Sequence, residues 1–105
     1  MTIPELIKII DFETFKGCSS LIGILIIPAS VELIKSNAFN DTNFSEVYFL
    51  GSNLIECSNS IGLPPKTIVH VNKDFRQDNF CSYEIVLIDK KNKKKILELL
   101  KLYAL

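Results

Sequence analysis

Ile27-Pro-Ala-Ser-Val-Glu-Leu-Ile-Lys-Ser-Asn-Ala-Phe39, continued by Asn40-Asp-Thr-Asn-Phe-Ser-Glu-Val-Tyr-Phe49, is the stretch from which the rest of the chain can be read. Upstream, Ile3-Pro4 matches Ile27-Pro28 and Phe15 matches Phe39, both at an offset of 24 residues. Between those anchors Ile7 aligns with Val31, and Ile9-Ile10 with Leu33-Ile34. Cys18-Ser-Ser-Leu21 corresponds to the shorter Thr42-Asn-Phe44, and each is followed by an alternating run, Ile24-Leu25-Ile26 and Val47-Tyr48-Phe49. Downstream a third unit opens at Leu50-Gly51, with Leu54 and Cys57 taking the places of Val31 and Ile34 at a spacing of 23. It decays through Ser58-Asn-Ser-Ile-Gly-Leu-Pro-Pro65 and still ends in an alternating run, Thr67-Ile-Val-His-Val71. A fixed period of this length is the mark of a stacked-repeat architecture.

The spacing predicts how each unit is built. Ile24, Ile26, Val47, Phe49, Val69 and Val71 recur with period two, so each run is expected to be a short strand with those side chains inward. Pro after a strand removes an N–H and turns the chain. The pairs Ile9-Ile10 and Leu33-Ile34 then anchor a return leg, and Phe15 and Phe39 plug the interior between layers. No unit of this size buries its own apolar face, so neighbours must cover it. The units are expected at about residues 3–26, 27–49 and 50–72, with a capping segment to 88 and a helix over 89–105.

The central unit closely resembles the BspA-type leucine-rich repeat, which reads I-P-x-x-V-x-x-I-x-x-x-A-F, then Cys or Thr, then L-x-x-V-x-F/I. The first unit follows with Ile3-Pro4, Ile10, Phe15, Cys18 and Leu21. It departs in having Thr14 in place of Ala and one extra residue near Gly23. The resemblance covers roughly residues 3–72. It implies an α/β fold, mostly β, in the form of a short right-handed leucine-rich repeat solenoid with parallel strands and a C-terminal amphipathic helix. It also implies binding to other proteins or cell-surface components, as an adhesion or scaffold module, and it carries no catalytic residues to transfer.

The remaining residues add the tail and the candidate surfaces. Tyr83-Glu-Ile-Val-Leu-Ile88 reads as a last strand. Asp89 or Asn92 is expected to cap a helix to about Tyr103, with Ile96, Leu99, Leu100 and Tyr103 on one stripe, widened by Leu97. Lys93, Lys94, Glu98 and Lys101 lie on the opposite face. Packing on the open end of the solenoid is the expected cover for that stripe, with docking on a second chain as the alternative. If the strands align, Leu25, Tyr48 and His70 form one outward row with Glu46 on the same face, the expected protein-contact surface. The apolar end at Ile3-Pro4 is expected to favour a homo-oligomer, through that end or through the helix.

Composition narrows the chemistry. The chain has 105 residues, enough for one domain, and 12 basic residues balance 12 acidic ones. Mean hydropathy is +0.25. The run Lys90-Lys-Asn-Lys-Lys-Lys95 is the one charge cluster. It supports the competing reading, a polyanion or membrane-surface binder, but it has no adjacent aromatic or Arg partners for nucleic acid. Cys18, Cys57 and Cys81 form no Cys-x-x-Cys pair and are expected as reduced, buried thiols. His70 is the sole histidine, and no phosphate loop, paired-carboxylate site or metal-ligand motif is present, so no enzyme, no metal and no cofactor are expected. Residues 1–11 lack a basic n-region, giving a cytoplasmic expectation, with the cell surface implied by the resemblance. Asn40-Asp-Thr42 and Asn43-Phe-Ser45 fit the glycosylation pattern.

Overall fold

The computed structural model describes residues 3–11, 14–15 and 22–103. Cys18 and the Cys18-to-Leu21 match lie outside them, as does the Tyr103 side chain. In chain order the elements are β1 (Ile9–Ile10), β2 (Ile22–Ile27), β3 (Leu33–Ile34), β4 (Asn43–Phe49), β5 (Glu56–Cys57), β6 (Ile68–Val71), β7 (Glu84–Leu87) and α1 (Lys90–Tyr103). The fold is mixed α/β: β2-β4-β6-β7 form one parallel sheet, β1-β3-β5 form a second, and the helix follows. Parallel neighbours cannot be joined by a tight hairpin, and here the return legs that carry β3 and β5 supply the crossovers.

Corresponding residues of successive units meet across both sheets. Leu25, Val47 and Val69 share one rung and Ile27, Phe49 and Val71 the next, while Ile10, Ile34 and Cys57 do so on the second sheet. All of these sides face a common core, joined by Phe15, Val31, Ala38 and Phe39. Phe15 and Phe39 are buried and stack with centroids 5.4 Å apart and planes 9° from parallel, so one aromatic ring rests on the next. In the third unit Ile61 takes the place of a Phe, and its carbonyl accepts from Phe39 N–H at 2.9 Å. Gly62 follows at φ +88°, and a Cβ there would sit 2.8 Å from the Asn40 backbone nitrogen, so this close approach needs glycine. The last unit ends in a different way. Phe75 and Phe80 pack on Phe49 at 5.8 and 5.2 Å, and the Gln77 amide bonds both the N–H and C=O of Ile55, substituting for a further strand.

Several expectations need correction. In β2 it is Leu25 and Ile27 that point into the core, whereas Ile24 and Ile26 point outward. The cause is a register shift between Gly23 and Ile24, where Ser45 is an extra residue in β4 and its hydroxyl bonds the Gly23 carbonyl at 3.0 Å. A one-residue slip exchanges the two faces of a strand. In the third unit Ile55, not Leu54, is buried in the Val31 place; Ile7 is exposed although Val31 is not. The cysteines are not all reduced: Cys57 and Cys81 form a disulfide with Cα atoms 5.5 Å apart. Finally, α1 does not close the end of the molecule. Ile96, Leu99 and Leu100 pack against Ile24, Ile26, Tyr48, Leu50 and Ile88 on the outward face of the four-stranded sheet. A stripe of leucines specifies that a helix must be covered and leaves open by which surface.

Candidate functional site

The outward face of β4 and β6, beside and beneath α1, brings together three of the four residues expected to form the contact surface. Alternation in β4 sends Val47 and Phe49 inward and Glu46 and Tyr48 outward. Register then places Tyr48 between Ile26 and His70, with Val86 beyond. Leu25, expected in that row, is fully buried in the core opposite Val47; the other three expected residues, Glu46, Tyr48 and His70, do share the face.

The polar groups form a linked set. Tyr48 O–H donates to Glu46 Oε2 at 2.6 Å, and Asn92 Nδ2 donates to Tyr48 Oη at 3.3 Å. Lys95 Nζ reaches both Glu46 oxygens at 3.1 Å. Asn92 and Lys95 are held there by the start of α1. The Asp89 carboxylate accepts from Asn92 N–H at 2.8 Å, and Asn92 Oδ1 accepts from Asp89 N–H at 3.4 Å. This reciprocal cap satisfies two backbone donors at the first turn. The imidazole of His70 stacks on Tyr48 with centroids 4.5 Å apart, and its Nδ1 is buried with no hydrogen-bond partner.

These contacts set the protonation states. Burial pushes the Tyr48 phenol up to about 12, reinforced by its bond to Glu46. The hydrogen bond from Tyr48 holds the Glu46 carboxyl below its ordinary value, partly opposed by burial, with Lys95 adding to the lowering. Burial lowers His70, against the carboxylates of Glu46 and Asp89, which favour its cation. At neutral pH the set is a carboxylate bound by a phenol and an ammonium, next to a neutral imidazole. It can bind and orient through hydrogen bonds.

No protein-family model, curated protein or solved structure matches this chain. The assignment of a role therefore rests on the residues themselves. Among the described residues no group of three or more His, Cys, Asp or Glu could hold a metal ion, and no helix is long and apolar enough to cross a membrane. Lys90, Lys91, Lys93, Lys94 and Lys95 are all exposed, on the first two turns of α1 rather than in a loop before it. What sequence reasoning missed is the part α1 plays: Asn92 and Lys95 complete the site. The signal was available in the cap, since a helix starting at Asp89 puts Asn92, Lys95, Ile96 and Leu99 on one face.

Proposed function

We propose that the chain is a short right-handed solenoid of BspA-like leucine-rich repeats acting as a non-catalytic protein-interaction module. The observation that carries this reading is the pair of parallel ladders in which matched residues recur 21 to 24 positions apart, with Phe15 stacked on Phe39 between them. Such an arrangement builds a surface from the outward residues of successive units and leaves their identity free to suit a partner. The contact surface is the strip of the four-stranded sheet beside α1: His70 from the expected row with Ile68 and Val86 next to it, and Glu46, held by Lys95, at the helix border. Tyr48 serves from below, fixing Glu46. No catalytic step and no cofactor belong to this reading. The Cys57–Cys81 disulfide favours a cell-surface setting over the cytoplasm, because disulfides persist under oxidising conditions.

One observation favours the second reading, a polyanion or anionic-membrane binder: five exposed lysines on the first two turns of one helix. The two are separated by using the intact, oxidised chain as bait and comparing two variants. Ile68→Asp with Val86→Asp is expected to abolish capture of a protein partner at unchanged melting temperature. Lys91→Gln with Lys93→Gln and Lys94→Gln, which spares the Lys95–Glu46 pair, is expected to leave capture intact. Retention on heparin or anionic vesicles that vanishes in the lysine variant, with no protein captured by the parent chain, would replace the first reading by the second.

A further inference from the structure

The two outward faces of the molecule carry complementary surfaces, and the core between them keeps the two from meeting within one chain. On the outer side of β1-β3-β5 lies an open groove of about 790 Å³. Its apolar residues are Ile9, Leu33, Leu54 and the buried Ile55; Ile9 is 52% and Leu54 69% exposed. The carboxylate-bearing Glu32 and Glu56, both exposed, also line it, and among the described residues no lysine or arginine does. Ile9, Leu33 and Glu56 are register partners, so this arrangement is fixed by the sheet and not by a loop.

On the other side of the molecule, α1 leaves Leu97 58% exposed. Lys93 and Lys94 lie one turn before it and Lys101 one turn after, all exposed. The result is an apolar knob with cations one turn to either side along the helix, against a groove whose apolar floor carries two carboxylates. Net charge is zero over the chain, so these surfaces are opposite local excesses rather than parts of one uniform field.

We infer that the occupant of the β1-β3-β5 groove is α1 of a second copy of this chain, with Leu97 seated on Ile9, Leu33 and Leu54 and its lysines facing Glu32 and Glu56. This deepens the protein-interaction reading and rests on it, naming a copy of the chain as one partner. Groove and helix are different surfaces, so the contact is head-to-tail, and each molecule offers one of each. The charged rim makes association salt-sensitive, with about a tenfold weakening from low to high ionic strength.

A charge exchange tests it, read by sedimentation velocity on the intact, oxidised chain across a concentration series. Glu32→Lys with Glu56→Lys, and separately Lys94→Glu with Lys101→Glu, are each expected to stay monomeric, because groove and helix then repel. All four positions are exposed, and an unchanged circular dichroism spectrum checks that each variant is folded. Mixing the two variants is expected to restore association, since every groove again meets a helix of opposite charge. A parent chain that remains monomeric at low salt, or one whose association survives in either variant alone, overturns the inference. Capture of a different protein through Ile68 and Val86 would be untouched by that failure, so the broader reading is tested separately.

Discussion

Tyr48 shows how much a single side chain ties together: it is fully buried, stacks on His70, is covered by α1 and donates its hydroxyl proton to Glu46. Tyr48→Phe keeps the ring and removes that proton donor, leaving Asn92 Nδ2 without its acceptor. A cost of about 1–2 kcal/mol is expected from urea unfolding. The Glu46 carboxyl should also titrate closer to its ordinary value by carbon-detected NMR, since the bond from Tyr48 is the largest influence lowering it. An unmoved Glu46 titration would mean that Lys95 alone holds the carboxylate. His70 makes the fold sensitive to mild acid. Its folded-state value lies below the ordinary 6.5, so the unfolded chain binds more protons in the interval between the two. The stability it contributes is present above pH 6.5 and is lost as pH falls through that value toward the folded one. Glu46 acts in a lower window, because its stabilisation is present above 4.5 and is lost as pH falls through its lowered value. His70→Gln should flatten the first slope and leave the second, as read from melting temperature against pH.

Among elements, the strands were the most legible in the sequence and the cross-links between them the least. Period-two runs mark Val47-Tyr48-Phe49 of β4 and β6 with the correct side inward, because the Ser45 bulge lies before the first of these runs and nothing interrupts the second. In β2 the inward side is one residue from that expected, because Ile24-Leu25-Ile26-Ile27 is apolar at every position and the Ser45 bulge of the partner strand β4 sets its phase. The candidate site followed suit: Glu46, Tyr48 and His70 were found through the strands that carry them, Leu25 was lost with the register, and Asn92 and Lys95 depend on a helix docking that amphipathicity does not specify. The spacing of the cysteines agrees with the cross-link. Cys57 and Cys81 are separated by 24 residues, the repeat period, which sets them on neighbouring layers. Closing a loop of that length is worth about 3.5 kcal/mol on the chain-entropy account, so reduction or Cys57→Ser with Cys81→Ser should lower stability by roughly that amount. A loss below about 1 kcal/mol would say that Phe75, Phe80 and Gln77 close this end without it. In the interior, Phe39→Ala removes the ring that Phe15 rests on and leaves a cavity that two flanking layers cannot collapse into. A cost of about 3–5 kcal/mol is expected by denaturant unfolding, most of the stability of a domain this small.

For the molecule as a whole, the proposed stacking of units implies that stability is shared between neighbours and falls off toward the ends. β4 is paired on both sides, has the main core on one face and α1 on the other. β1 and β7 each lie at a sheet edge, and Val86 and Leu87 of β7 are exposed. Parallel pairing also makes every strand-to-strand contact in the larger sheet non-local, because register partners in β2, β4 and β6 lie 21 or 22 residues apart. Two behaviours can follow from this geometry. A chain too short for its ends to open independently unfolds in one step, with similar protection throughout. A true stack of units frays from its edges, so that central amides exchange only on global unfolding while edge amides exchange through local opening. The closed end argues for fraying from one side first, since the disulfide, the Phe75–Phe80 pair and the Gln77 amide hold the last layer, whereas β1 is a two-residue strand paired on one side, with β3. Native-state hydrogen exchange is therefore expected to give the amides of Val47, Tyr48 and Phe49 protection equal to the global unfolding free energy, with Ile9 and Ile10 opening first. Uniform protection across β1 and β4 would contradict the layered account and would favour a single cooperative core.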